Sequence, residues 1–153
     1  MKTIQFMQTP LDTITLAEES GALTELWFGR ITPEGARQQS TPLLRKAQAE
    51  LAEYFSGKRK VFTVPLAPRG TVFQQSVWQV LRSIPYGETL SYGEVAKRIG
   101  NPKASRAVGM ANNKNPLPIL IPCHRVIGAS GKLVGYGGGL GIKEALLTLE
   151  QQH

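Results

Sequence analysis

The stretch that decides the fold is SYGEVAKRIGNPKASRAVGMANNKN, residues 91–115. Ser91 and Glu94 have the spacing of a capping box, which predicts the start of a helix. The apolar residues that follow repeat at helical spacing and indicate a buried face: Tyr92, Val95, Ala96 and Ile99. Gly100-Asn101-Pro102 predicts a tight turn, and a second helix is expected from about Lys103. Two short helices joined by such a turn predict a helix-turn-helix.

The second of these helices has informative outer faces. Its inner face is expected to hold Ala104, Ala107, Val108 and Ala111. One outer face holds Lys103, Arg106, Met110 and Asn113, and another holds Ser105, Gly109 and Asn112. Small residues let a helix backbone approach a phosphate chain or a groove closely, and Arg106 supplies a long cation at the centre. The alternative is that an Ala- and Gly-rich helix only packs closely against another helix.

Working outward, the sequence predicts an α+β protein with two parts. Residues 1–70 are expected to form a supporting domain, a small antiparallel sheet with one helix; its short strand-like runs are 3–8, 12–18 and 22–29. Thr41 is the expected N-cap of that helix, with Pro42 at its first position and Gly57 at its end. Residues 58–70 form the expected linker. Residues 71–153 are expected to form a mainly helical, winged helix-turn-helix-like domain.

The C-terminal domain is expected to hold two further helices and an extended segment. Thr71 and Gln74 fit a capping box, ahead of an apolar stripe: Phe73, Val77, Val80, Leu81 and Ile84. The proline-flanked residues 117–122 predict a buried extended segment that delivers Cys123-His124-Arg125. Residues 128–139 hold six glycines and predict a loop or hairpin beside the site. A closing helix is expected to begin near Ile142 and to end near Glu150.

Composition and charge exclude several classes of protein. The 153 residues are 41% hydrophobic, which is enough for a core, and no apolar run is long enough to span a membrane. The single cysteine excludes an intramolecular disulfide, and the lack of a signal peptide predicts a cytoplasmic protein. The net charge is +7, and eight basic residues but no acidic one lie between Glu94 and Glu144. Such a stretch favours a polyanionic partner, most often nucleic acid, although a basic surface without a partner has the same composition.

Cys123 is the candidate nucleophile. A lone cysteine is more often a buried apolar residue, but this one lies beside His124, two residues before Arg125, and ahead of the glycine-rich loop. A free thiol has a pKa of about 8.5 and needs a base or a cation to become a thiolate at neutral pH. Because neighbours in an extended chain point to opposite sides, we expect His124 to act through a water. Glu150 is a candidate to orient His124.

Pro122-Cys123-His124-Arg125-Val126 resembles the active-site motif of the alkylguanine-DNA alkyltransferases, the methylated-DNA–protein-cysteine methyltransferases. The resemblance spans about residues 70–150 and includes Ile84-Pro85-Tyr86-Gly87, Arg106-Ala107-Val108-Gly109 and Gly135-Tyr136-Gly137-Gly138-Gly139. It implies direct repair of duplex DNA in a single turnover. Cys123 would take the alkyl group from O6 of guanine, or from O4 of thymine, after the nucleotide has been flipped out of the duplex.

The resemblance also implies a role for each site residue. His124 would generate the thiolate through a water with help from Glu150, and Tyr92 would donate a proton to the leaving base. Arg106 would fill the gap in the duplex, and Asn115 would be a hinge between the DNA-binding helix and the active-site segment. The other implied DNA contacts are Ser105, Lys103, Gly109, Met110 and Asn113. The implied pocket residues are Pro118, Val126, Tyr136 and Gly137, and the main-chain carbonyls of Cys123 and Val126 would read the guanine amino group.

Two other functions stay open at this point. A non-catalytic sensor of alkylated bases would keep the scaffold, but such proteins replace the cysteine, which is present here. A Cys-His hydrolase would need an oxyanion site that the sequence does not reveal. We expect no cofactor, no metal, no membrane association and no obligate protein partner for a monomer that binds alkylated double-stranded DNA.

Overall fold

The computed structural model describes residues 1–128, 131 and 139–153. Its chain divides into two compact units, Met1–Arg69 and Gly70–His153. The mixed α and β architecture confirms the predicted fold class.

The first unit is built on a four-stranded sheet. Its strands are β1 (Thr3–Thr9), β2 (Asp12–Glu19), β3 (Ala22–Phe28) and β4 (Arg37–Gln38), in the order β3-β2-β1-β4. Strands β1 to β3 form an antiparallel meander at the predicted positions. Ser20 and Gly21 both have positive φ, as a tight hairpin turn requires. Strand β4 was not predicted; it pairs parallel to β1 over two residues, too few to leave a pattern in the sequence.

One helix packs on this sheet. Helix α1 (Pro42–Phe55) begins where predicted: the hydroxyl of Thr41 accepts a hydrogen bond from the Leu44 amide at 3.1 Å. The helix buries the expected stripe of Leu44, Ala47, Leu51 and Tyr54. Glu50 is buried with them, and it accepts hydrogen bonds from the Thr63 amide and hydroxyl. A buried carboxylate of this kind is satisfied locally and anchors the chain that leaves the helix.

The second unit holds the helix-turn-helix. Its elements are α2 (Val72–Arg82), β5 (Leu90–Ser91), α3 (Tyr92–Arg98), α4 (Ser105–Asn113), a one-turn 3₁₀ helix (Cys123–Arg125), β6 (Val126–Ile127) and α5 (Leu140–Gln152). Both predicted capping boxes are present, at Thr71 and at Ser91. Helix α4 begins two residues later than expected because the Ala104 amide still closes a turn on the Asn101 carbonyl. The short β5 and β6 pair in parallel, which holds the segment after Cys123 against the start of α3.

The segment before Cys123 differs from the prediction. Residues 117–122 are buried, except for the half-buried Pro118, but they are not extended. The Ile121 amide donates to the Leu117 carbonyl at 2.8 Å, and Ile119 has a φ of +74°. Prolines at 116, 118 and 122 interrupt any ladder of hydrogen bonds, so the chain closes a compact turn instead of running as a strand. The turn places Cys123 at the start of the 3₁₀ helix.

Gly70 gives a test of the packing in this unit. A Cβ at Gly70 would lie 2.5 Å from Cη2 of Trp78, a ring that is 1% exposed. We therefore expect Gly70→Ala to destabilise the protein by about 1–3 kcal/mol through overpacking. Gly141→Ala is the matched control, because a Cβ at Gly141 meets no atom within 4 Å. Thermal unfolding of both variants checks the prediction, and equal melting temperatures would contradict it.

Candidate active site

The candidate nucleophile is held in a buried turn. Cys123 is 3% exposed and opens the 3₁₀ helix Cys123–Arg125. Its amide donates to the Ile121 carbonyl at 2.7 Å, and its carbonyl accepts from the Val126 amide. The expected alternation of neighbouring side chains in an extended segment is therefore wrong here, because the backbone turns at the cysteine itself.

His124, Arg125 and Glu150 form one buried network. Nε2 of His124 lies 2.6 Å from Oε2 of Glu150. The guanidinium of Arg125 donates to both oxygens of the same carboxylate, through Nε at 2.9 Å and Nη2 at 3.0 Å. Nη1 of Arg125 donates to the Ile84 carbonyl at 2.7 Å. The structure thus brings together His124 and Glu150, and it adds Arg125 as the residue that fixes the carboxylate. The sequence had indicated Arg125 only as a cation near Cys123, not as the partner of Glu150.

The charges of this network determine the protonation of His124. Burial raises the pKa of Glu150, but the hydrogen bonds from His124 and Arg125 outweigh it and lower the pKa to about 2. Burial lowers the pKa of His124, against the opposing attraction of Glu150, so the imidazole is neutral at pH 7. An ionised carboxylate only accepts hydrogen bonds, so Nε2 must carry the imidazole proton. The buried Nδ1 then holds the free lone pair, and it has no partner among the described residues.

Two further groups lie within electrostatic range of Cys123. Burial raises the pKa of the Tyr92 phenol, and a negative charge at Cys123 raises it further. Burial lowers the pKa of Lys143, and the same charge opposes that shift. Lys143 is fully buried, and its Nζ donates to the Val126 carbonyl at 2.6 Å. Tyr92 was predicted as a site residue, whereas Lys143 was missed. The available signal was its position seven residues before Glu150, two helical turns away on one face of α5.

Asn115 connects the end of α4 to the segment that carries Cys123. Its Nδ2 donates to the Ile121 carbonyl at 2.8 Å, and its Oδ1 accepts from the Leu117 amide at 2.9 Å. Of the expected pocket residues, Pro118 is half-buried and Val126 is fully buried. Tyr136 and Gly137 lie outside the described residues. The hinge and pocket roles stay predictions.

Helix α4 presents its expected outer face. Arg106, Met110 and Asn113 are exposed on the helix and Lys103 is exposed before it, whereas Ser105 and Gly109 are half-buried. The ring of Tyr92 packs against Gly109, since a Cβ there would lie 3.8 Å from its Cε1. The Tyr92 ring therefore lies against α4 at Gly109, three residues after the exposed Arg106.

Two assignments on α4 were wrong. Ala107 is exposed, although it was expected on the inner face. Asn112 is 1% exposed, although it was expected on an outer face beside Ser105 and Gly109. Hydrophobicity patterns place a polar amide outside by default, and here the amide is buried because it finds a hydrogen-bond partner in the active-site segment.

Only some of the basic residues between Glu94 and Glu144 are exposed on the surface. Two of its eight cations are buried: Arg125, which pairs with Glu150, and Lys143, which donates to Val126. Five are exposed: Lys97, Arg98, Lys103, Arg106 and Lys114. Within the part of the chain that the structure describes, no group of three His, Cys, Asp or Glu side chains could hold a metal ion. Over those same residues no helix is both long and apolar enough to cross a lipid bilayer.

The fold and the site define a class of protein: a two-unit α+β chain with a helix-turn-helix, a buried cysteine and a histidine–glutamate pair. Two family models match it, the DNA binding domain of 6-O-methylguanine DNA methyltransferase over residues 72–152 and the ribonuclease-like domain of the same protein over residues 3–68. The chain belongs to the 6-O-methylguanine DNA methyltransferase family.

Curated relatives and solved structures agree with this family. The chain is 52% identical over 147 residues to a methylated-DNA–protein-cysteine methyltransferase of Methanosarcina acetivorans, with 94% of each chain covered. It is 46% identical over 152 residues to a constitutive one of Bacillus subtilis, covering 94% and 92%. The O6-methylguanine methyltransferase of Mycobacterium tuberculosis superposes with a TM-score of 0.92 at 47% identity, covering 99% and 94%. A structure of the M. tuberculosis protein in complex with DNA gives 0.91 at 47% identity, covering 98% and 93%.

Proposed function

We propose that this protein repairs DNA directly, by moving the alkyl group from O6 of an alkylated guanine, or from O4 of an alkylated thymine, to the sulfur of Cys123. The observation that supports it most is the buried network in which neutral His124, with a free Nδ1, stands next to the cysteine in the chain. Family membership supplies the reaction class, and the M. tuberculosis relative in complex with DNA supports DNA as the partner.

The proposed chemistry balances as one displacement. Nδ1 of His124 takes the proton of the Cys123 thiol, through a water, and Glu150 stabilises the imidazolium that forms. The thiolate attacks the alkyl carbon, the S–C bond forms and the C–O6 bond breaks. The electron pair stays on the guanine, which takes a proton from Tyr92, and the proton held by His124 then returns through water to the Tyr92 oxygen. A thioether has no easy leaving reaction, so each molecule reacts once.

Access to the base requires a flipped nucleotide. An alkyl group on a stacked base cannot reach a cysteine that is 3% exposed, so the nucleotide has to leave the duplex, at a cost of a few kcal/mol. Arg106 is exposed on α4 three residues before Gly109, which contacts Tyr92, and this position supports a role for Arg106 in the gap that remains. We also propose that a single copy acts on the duplex, in the cytoplasm and without an obligate partner.

Intact mass spectrometry after incubation with duplex DNA that carries O6-methylguanine tests the proposal. We expect one methyl group per molecule, located on Cys123 by peptide mapping. Tight binding to the alkylated duplex without any gain in mass would favour the non-catalytic sensor instead. Repeated turnover without a lasting adduct would also contradict single-turnover transfer.

The variant Arg106→Ala is expected to impair base flipping without impairing alkyl transfer itself. We expect the rate on alkylated duplex DNA to fall about 10- to 100-fold, because the cost of unstacking is no longer offset. The rate with the free base O6-methylguanine should change less than about twofold, since no duplex is opened. Arg98→Ala is the matched control, because Arg98 is an exposed arginine at the end of α3. Equal losses on duplex and free base would contradict the role of Arg106.

A further inference from the structure

Asn112 is a buried polar side chain that the proposed chemistry does not use. It is 1% exposed and lies on the inner face of α4, where the other buried residues are Val108 and Ala111. Its Nδ2 donates to the Cys123 carbonyl at 3.3 Å. Its Oδ1 is buried and accepts no hydrogen bond within the described part of the chain. A buried acceptor without a hydrogen bond destabilises the folded chain, so its presence calls for an explanation.

The carbonyl of Cys123 is already fully engaged. It accepts from the Val126 amide, which closes the 3₁₀ turn, and from Nδ2 of Asn112. A carbonyl oxygen has two lone pairs, so a third donor would have to share one of them. The Val126 carbonyl accepts from Lys143 Nζ at 2.6 Å, which leaves it one lone pair. A donor group on a base that enters next to Cys123 therefore meets one fully engaged carbonyl and one half-engaged carbonyl.

Oδ1 of Asn112 is the acceptor that remains. It is bonded to the same carbon as Nδ2, which lies 3.3 Å from the Cys123 carbonyl oxygen. Nδ2, not Oδ1, must face the Cys123 carbonyl, because the opposite orientation of the amide would place two acceptor oxygens against each other. Cys123 itself is shielded almost as completely as Asn112, so a base that reaches the sulfur has to open this region of the protein.

We propose that Asn112 is a specificity-determining residue that reads the exocyclic amino group of the alkylated guanine through Oδ1. The inference rests on the proposed function, and it shifts part of the recognition from the main chain of Cys123 to a side chain of α4. Thymine has no amino group, so Asn112 favours O6-alkylguanine over O4-alkylthymine. The same helix then carries both the DNA-facing Arg106 and a residue that checks the base.

The test removes one partner at a time, Asn112 from the protein and the amino group from the base. Duplexes with O6-methylguanine or with O6-methylhypoxanthine, which lacks only that amino group, are reacted with the intact protein and with Asn112→Leu. We expect the intact protein to react faster with O6-methylguanine, and Asn112→Leu to reduce that preference by about tenfold. The loss should fall on O6-methylguanine, with the O6-methylhypoxanthine rate changed less than about threefold.

Two controls keep the outcome decisive. Val108→Ala shortens a buried neighbour on α4 without touching a polar group, and it should lower both rates by the same factor. Asn112→Ser is the milder variant if the leucine variant does not fold, and it should show the same loss of preference. Equal losses on both duplexes for the Asn112 variants would overturn the inference. A complete lack of methyl transfer by the intact protein would instead overturn the proposed function, and the inference with it.

Discussion

Replacing Cys123 by serine is expected to abolish methyl transfer, lowering the rate by about a thousandfold or more. A hydroxyl is far less acidic than a thiol, so neutral His124 cannot generate the attacking anion at neutral pH. Binding to alkylated duplex DNA should stay close to that of the unchanged protein, because the exposed residues of α4 are not altered. Intact mass and a DNA-binding titration on the same sample measure both effects.

Stability has to be controlled in this experiment. The serine hydroxyl enters a site that is 3% exposed, which costs about 1–3 kcal/mol if it finds no hydrogen bond. Thermal unfolding of Cys123→Ser and Cys123→Ala shows whether both remain folded at the assay temperature. A folded serine variant that still removed the methyl group at nearly the original rate would refute the assignment of the nucleophile.

Glu150→Gln is expected to have the second largest effect, on stability and on rate together. It leaves the buried Arg125 guanidinium without its carboxylate, and an unpaired buried charge costs about 3–5 kcal/mol. It also removes the charge that stabilises the His124 imidazolium, so the rate at pH 7 should fall about 10- to 100-fold. Glu144→Gln is the matched control on α5, because Glu144 is exposed. That control should change stability by less than about 0.5 kcal/mol.

The same carboxylate makes the stability depend on pH. The pKa of Glu150 is about 2 in the folded protein and 4.5 ordinarily, so folding is favoured above pH 4.5 by about 3 kcal/mol. That contribution is lost as the pH falls from 4.5 towards 2. The pKa of His124 is also lowered by burial, so protonation of the unfolded chain below pH 6.5 acts in the same direction. Denaturant unfolding should show stability falling between pH 6.5 and 2, with a flatter profile for Glu150→Gln.

The sequence predicted the local structure of the second unit well, because its signals are local. The capping boxes at Thr71 and Ser91 involve side chains three residues apart, and both helices begin where those boxes place them. The pairing of β4 with β1 and the closed turn at residues 117–122 were missed. Each depends on long-range contacts or on backbone angles, which the spacing of hydrophobic residues does not predict.

The sequence predicted the site residues that belong to a recognisable motif, and it missed the polar residues whose role depends on their burial. His124 and Glu150 lie 26 positions apart in the chain and yet meet at 2.6 Å. The need of a histidine base for an orienting group made Glu150 a candidate, and the resemblance implied the same pairing. Lys143, Arg125 and Asn112 are polar residues whose importance follows from being buried, and a pattern of apolar positions cannot show that. Each has a hydrogen-bond partner on an active-site carbonyl or carboxylate, which becomes visible only when the chain is folded.

The burial of Cys123 also limits side reactions of its thiol. Cys123 is 3% exposed as a residue, so it offers little surface to dissolved oxidants or to small electrophiles. A disulfide between two copies would need their sulfur atoms about 2.05 Å apart, and the burial of both cysteines opposes such an approach. The Cys123 thiol, which can react only once, is thereby protected until a flipped alkylated base enters the site.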